Sequence, residues 1–134
     1  MLSTTVSAIA FTTLSAVIIL FQLALACGAP WGHFAMGGKY PGVFPRPLRI
    51  AAIVQALVMA FVTLIVLTRS GITLPAPFSS PGFTAFSSVA IWFVVALSAV
   101  AAVLNTITPS KKERALWAPV AIVQLVCVVI VAVS

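Results

Sequence analysis

Residues 50–68 read IAAIVQALVMAFVTLIVLT, an apolar run that contains no charged side chain. A transmembrane helix needs about 20 predominantly apolar residues, within a range of about 17–25. Three further stretches have the same character, at about 5–27, 86–107 and 117–133. Because backbone groups in lipid must hydrogen bond within their own segment, each stretch predicts a helix. The sequence therefore predicts an all-α integral membrane four-helix bundle, a single domain over residues 1–134.

The composition indicates a protein that uses lipid as its solvent. Hydrophobic residues make up 63% of the chain, the mean hydropathy is +1.27 and only 6% of residues are charged. A soluble domain carries roughly 25% charged residues. The first stretch resembles a signal peptide only superficially, because its start, MLSTTVSA, has no basic residue and its apolar run exceeds a usual signal core. We expect it to be retained as a true span.

The distribution of basic residues predicts the orientation. Loop 1 (28–49) and loop 3 (108–116) carry six basic residues, whereas loop 2 (69–85) carries only Arg69. Cytoplasmic loops of membrane proteins carry the excess of Lys and Arg. We therefore expect loops 1 and 3 in the cytoplasm, and loop 2 and both termini outside. The net charge of +6 is then a topology signal, and no nucleic-acid partner is expected.

Two weaker patterns concern the arrangement of the spans. The sequence AIVQ occurs at 52–55 and again at 121–124, which suggests two tandem helical hairpins, although chance matching in an Ala/Ile/Val-rich chain is the alternative. Small residues recur in the first and third spans, and such residues let helices approach closely in lipid. This pattern predicts that spans 1 and 3 form the packed centre, with spans 2 and 4 facing more lipid.

The predicted spans contain amides but no ionisable Asp, Glu, Lys, Arg or His. Ion-coupled pumps usually need such a group within the membrane, so coupled transport by this chain alone is not expected. Four amides fall in the cytoplasmic half of the spans: Gln22, Gln55, Asn105 and Gln124. They either hydrogen bond between helices, or line a polar cavity that opens to the cytoplasm and orients a ligand.

Loop 1 contains the stretch GAPWGHFAMGGKYPG at 28–42, which is too rich in Gly, Pro and aromatic residues for a simple connector. We expect a compact loop at the membrane interface. Three interpretations remain open: His33 as an acid–base catalyst, Gly37-Gly38-Lys39 as an anion site, or a structural plug whose charges set topology. A single histidine without clustered Cys, Asp or Glu predicts no metal and no cofactor.

The loop GAPWGHFAMGGKYPG, Arg49 at the start of span 2 and the stretch PSKKERALWAP at 109–119 resemble a group of small bacterial four-span membrane proteins. The resemblance extends over most of the chain. It implies a multi-pass protein of the bacterial inner (plasma) membrane and implies no activity. It also draws attention to the junction of loops 1 and 3 as a candidate site, with Glu113 paired to Arg49 or Lys39. The candidate ligand-binding residues there are Trp31, His33, Lys39, Tyr40, Arg49, Glu113 and Arg114.

These observations favour a non-enzymatic membrane protein. It is expected to bind a lipid or lipophilic small molecule at its cytoplasmic face, or to serve as a small subunit of a membrane assembly. The alternatives are a membrane enzyme on a lipophilic substrate with His33 as acid–base, and an oligomeric transport pore. The expected partners are membrane lipid and either a second copy of the chain or a larger membrane complex.

Overall fold

The computed structural model describes residues 2–134 and contains four long helices and no β-strand in that range. Helix α1 spans Leu2–Ala26, α2 spans Arg46–Arg69, α3 spans Pro81–Ile107 and α4 spans Lys111–Val133. Two short 3-10 turns, Gly32–Phe34 and Met36–Gly38, lie between α1 and α2. Each long helix is apolar enough to cross a membrane. The all-α four-helix prediction is confirmed, and the chain is a multi-pass membrane protein.

Helices α2, α3 and α4 begin four to six residues before the predicted spans. Helix α2 begins directly after Pro45 without a side-chain cap, whereas serine side chains cap α3 and α4. The side chains of Ser80 and Ser110 accept hydrogen bonds of 3.2 Å from the N–H groups of Phe83 and Glu113. Serine is a preferred N-cap because its oxygen satisfies one free N–H of the first turn. Glu113 therefore belongs to the first turn of α4 and not to a loop.

The helices follow one another around the bundle, so α1 packs against α2 and α4, and α3 packs against α4 and α2. The most extensive contacts lie within the pairs α1–α2 and α3–α4, which are two consecutive hairpins. Helices α1 and α3 lie diagonally opposite. The prediction that they form the packed centre is wrong, since α4 buries eight residues and α3 only five. Small residues permit close approach but do not specify which helix approaches.

The main hydrophobic core fills the half of the bundle near loop 2. It is built around four fully buried residues from four helices, Phe11, Val66, Ile91 and Val128. The opposite end, where loops 1 and 3 lie, is called the basic end. A smaller cluster of Leu25, Phe44 and Ala52 packs there beneath loop 1. The two halves are packed differently, and the basic end leaves room for a cavity.

Arg69, the one basic residue of loop 2, is bound to the end of α4. Its guanidinium donates hydrogen bonds to the carbonyl oxygens of Ala132 at 3.1 Å and Ser134 at 2.8 Å. The last carbonyls of a helix have no partner within the helix, and a cation near them is favourable.

Candidate ligand-binding cavity

Loop 1 is docked on the start of α4 through three hydrogen bonds. The hydroxyl of Ser110 donates to the carbonyl of His33 at 2.9 Å, and the indole N–H of Trp117 donates to the carbonyl of Phe34 at 3.0 Å. The backbone N–H of Gly37 donates to Oε2 of Glu113 at 2.9 Å. Loops 1 and 3 therefore meet at the basic end, and loop 1 is held as a folded cover.

The backbone at the centre of this cover is left-handed. Met36, Gly37 and Gly38 have φ values of 54°, 69° and 74° in succession. For a residue with a side chain this conformation costs about 1–2 kcal/mol, whereas glycine adopts it freely. The docking of Gly37 onto Glu113 stabilises the turn, and the turn places Met36 over the space below.

That space is a cavity of about 630 Å³ enclosed by loop 1 and all four helices. Its walls are mainly apolar and include Phe21 and Ile18 of α1, Met59 of α2 and Leu104 of α3. Pockets of about 300–1,000 Å³ with apolar walls and a few placed polar groups are typical of small-molecule sites. The cavity has the size and character of such a site.

Gln22 is the most informative polar group in the cavity wall. Its side chain is only 8% exposed, yet it makes no hydrogen bond to any of residues 2–134. No fully buried side-chain nitrogen or oxygen in that range lacks a partner, so the amide atoms of Gln22 must reach the open cavity. A buried amide without a partner costs free energy. Gln22 thus presents an unused donor and acceptor to whatever occupies the cavity.

The other three predicted amides line the same cavity. Gln124 is buried, and its Nε2 donates to Oγ of Ser15 at 3.0 Å and to the carbonyl of Phe11 at 3.4 Å. Asn105 donates to the carbonyl of Ala101 in its own helix at 2.7 Å, and Gln55 is exposed. Only Gln124 of the four bonds to another helix. Interhelical bonding alone therefore does not account for the four amides.

Glu113 is the one ionisable side chain among the described residues that line the cavity. Its Oε2 accepts from Gly37 N–H and from the hydroxyl of Thr108, both at 2.9 Å. Within residues 2–134, Oε1 has no hydrogen-bond partner. The carboxylate is thus fixed by one oxygen and leaves the other available.

The expected pairing of Glu113 with a basic residue is not formed within residues 2–134. Arg49 instead donates from Nε to the carbonyl of Ala26 at 2.8 Å, where it caps the end of α1 as Arg69 caps α4. Lys39 is exposed, with its Nζ 6.0 Å from the ring centre of Tyr40. The free carbonyls at the end of α1 are the closer partner for Arg49.

The remaining predicted site residues lie outside the cavity wall. His33 packs its ring against Phe34, with ring centres 4.2 Å apart, and Trp31 is exposed and stacks on Phe21 at 6.3 Å. Tyr40 and Arg114 are exposed. The structure brings Glu113 together with the four amides, whereas the other six predicted ligand-binding residues do not line the cavity.

Sequence reasoning missed Trp117 as a wall residue. Trp117 is buried, lines the cavity and meets the ring of Phe21 edge-on, with ring centres 4.8 Å apart. A signal was present, because Glu113 and Trp117 are four residues apart and therefore share one face of a helix.

The cavity has a side opening between α2 and α3. The exposed lining residues that belong to helices are Ala51 and Gln55 of α2 and Leu104 and Ile107 of α3. They belong to the start of α2 and the end of α3, two neighbouring helices. An opening between two membrane-spanning helices faces the bilayer, which gives a lipophilic molecule a route of entry.

No family model, curated protein or solved structure matches the chain. The class of the protein accordingly rests on its own fold and cavity: a small multi-pass helical membrane protein with a covered pocket at its basic end.

Proposed function

We propose that this protein is a non-enzymatic protein of the bacterial inner membrane that binds a lipid or lipophilic small molecule in the cavity at its cytoplasmic end. The observation that carries the proposal is Gln22, whose side chain is only 8% exposed and whose amide faces a mainly apolar cavity without a protein partner. A bound molecule that satisfies this amide explains why a costly polar group is kept there.

The shape of the cavity supports a binding role. Its volume of about 630 Å³ suits a drug-sized molecule, and its side opening between α2 and α3 faces lipid. The basic loops 1 and 3 support a cytoplasmic position for this end. A lipophilic ligand would enter from the inner leaflet and find its polar contacts beneath loop 1.

Two features favour binding over the alternatives. The core near loop 2 is tightly packed around Phe11, Val66, Ile91 and Val128, so the cavity is closed toward that side of a single bundle. The ring of His33, the candidate catalyst, packs on Phe34 and does not line the cavity. A ligand in the cavity therefore meets amides and a carboxylate rather than the imidazole.

The test is native mass spectrometry of the protein extracted gently from membranes. Ala51→Phe places a ring in the side opening, because Ala51 is exposed and lines the cavity. Ala60→Phe is the matched control, since Ala60 is exposed on the same helix outside the cavity wall. We expect one defined added mass per chain in the wild type and in Ala60→Phe, and its loss in Ala51→Phe.

Two results would overturn the proposal: a bare chain in the wild type, or the same adduct in all three proteins. An added mass that corresponds to another protein chain would support the role as a subunit instead.

A further inference from the structure

We infer that the ligand of this cavity is a lipophilic organic cation whose positive charge lies at Oε1 of Glu113. The inference rests on the proposed function, because it specifies the chemistry of the molecule in the same cavity. The observation behind it is a reversal of sign: the chain has a net charge of +6, yet the only charged side chain in the described cavity wall is a carboxylate.

The basic residues are all directed elsewhere. Arg49 and Arg69 are bound to helix-end carbonyls at Ala26 and Ala132. The other five are exposed and absent from the cavity wall: Lys39, Arg46, Lys111, Lys112 and Arg114. Charges in solvent are screened over about 8–10 Å at physiological ionic strength, whereas charges in a partly buried site are screened much less. A ligand inside the cavity therefore senses chiefly Glu113.

The carboxylate of Glu113 is fixed in place and has one oxygen free to contact a ligand. Its Oε2 is held by Gly37 and Thr108, which fixes the carboxylate, and Oε1 remains without a partner in residues 2–134. A fixed carboxylate does not have to be ordered when a cation binds, which lowers the cost of binding. An anionic ligand, such as a fatty acid or phospholipid phosphate, would be repelled by it.

The neutral polar groups also favour a cation. Gln124 and Asn105 use their NH₂ groups on protein carbonyls and a hydroxyl, so their carbonyl oxygens are left as acceptors at the cavity wall. The rings of Phe21 and Trp117 line the same space. Aromatic faces attract cations, with Trp the most effective. Carboxylate, amide oxygens and aromatic rings form a wall that accepts positive charge.

The test uses two probes of nearly equal size and opposite charge, tetraphenylphosphonium and tetraphenylborate. Binding of each is measured by equilibrium dialysis to the full chain in lipid nanodiscs, with empty nanodiscs subtracted. In Glu113→Gln we expect the affinity for tetraphenylphosphonium to fall by about tenfold or more. The affinity for tetraphenylborate should be no lower than in the wild type. The glutamine carbonyl can still accept from Gly37, so loop 1 should stay docked.

Two further variants separate the cavity from the surface. Ala115→Lys adds the same unit of positive charge two residues away, at an exposed position outside the cavity wall, and should leave tetraphenylphosphonium binding unchanged. Gln55→Lys places a cation within the cavity wall and should abolish tetraphenylphosphonium binding, and thermal denaturation checks that the variant is folded.

The inference is overturned if Glu113→Gln binds tetraphenylphosphonium as tightly as the wild type, which would make the carboxylate a purely structural link to loop 1. It is also overturned if Ala115→Lys weakens binding as much as Glu113→Gln does. If the native adduct is still lost in Ala51→Phe, the proposed function stands and only the ligand class is wrong. If there is no adduct and neither probe binds, both proposals fail.

Discussion

The carboxylate of Glu113 and the backbone N–H of Gly37 are joined by a hydrogen bond of 2.9 Å, although the residues are 76 positions apart. This bond links the first turn of α4 to a left-handed turn of loop 1 and holds loop 1 over the end of the cavity. Its two partners, one in loop 1 and one in the first turn of α4, lie at the end of the bundle that carries six of the seven basic residues. The same carboxylate thus holds the cover and lines the site.

We expect Glu113→Ala to release loop 1, while Glu113→Gln keeps it docked. Hydrogen bonds to a charged group contribute about 1.5–3 kcal/mol each, and alanine removes those from both Gly37 and Thr108. Hydrogen exchange at the Gly37 amide, followed by mass spectrometry, should accelerate strongly in Glu113→Ala and only slightly in Glu113→Gln. Equal exchange in the wild type and Glu113→Ala would show that the bond does not hold the cover.

Gly32 should not tolerate even alanine. A Cβ at this position would collide with the carbonyl oxygen of Tyr40, and the Gly32 N–H already donates to the carbonyl of Gly42 at 2.9 Å. We expect Gly32→Ala to lower the free energy of unfolding by about 1–3 kcal/mol, the usual cost of overpacking. Gly82→Ala is the control, because Gly82 lies in α3 with open space around it, and it should be neutral or slightly stabilising. Thermal denaturation in detergent compares the two, and equal midpoints would refute the predicted collision.

The features that sequence predicts well here are those encoded locally. Each apolar run, such as 50–68, carries its own helix signal, and hydropathy alone therefore locates all four helices. The position of Glu113 was harder, because the boundary of α4 depends on capping by Ser110, a signal present in the Ser-x-x-Glu spacing. The partner of Arg49 was not predictable, since it depends on where the end of α1 lies in space. Likewise, small residues in spans 1 and 3 could not reveal that α1 and α3 are diagonal.

The two arginines at the start of α2 should differ in their effect on stability. Arg49 caps the end of α1 through Ala26, whereas Arg46 is exposed. We expect Arg49→Gln to lower the free energy of unfolding by about 1–2 kcal/mol, and Arg46→Gln to have no measurable effect. Both variants remove one positive charge from the start of α2, so any influence on membrane orientation is matched. A comparable loss in both variants would show that charge, rather than the cap, is responsible.

The orientation is tested by cysteine labelling in a background without Cys27 and Cys127. Ser79→Cys in loop 2 should react with a membrane-impermeant maleimide in intact cells, because only one basic residue lies on that side. Ala115→Cys near the start of α4, exposed and near three basic residues, should react only after lysis. The opposite pattern of labelling would reverse the predicted orientation and would place the cavity on the outer face of the membrane.

Variants at Gln22 and Gln124 distinguish an amide that binds a ligand from an amide that stabilises helix packing. Gln124 bonds across to Ser15 of α1, and polar bonds between membrane helices contribute about 0.6 kcal/mol on average and up to about 1.7. Gln124→Leu should therefore be destabilising. Gln22→Leu removes a buried amide that has no protein partner, and it should leave the ligand-free protein equally stable or more stable.

In Gln22→Leu, ligand binding should weaken although thermal stability does not fall. Native mass spectrometry should show a weaker adduct in Gln22→Leu despite its undiminished thermal stability, because the bound molecule loses its partner in the cavity wall. Reduced stability with an intact adduct would mean that Gln22 serves the bundle and not a ligand. A ligand-binding site predicts that Gln22→Leu keeps its stability and loses affinity for the ligand. In the wild type, the buried amide of Gln22 costs free energy that only a bound ligand can offset by hydrogen bonding.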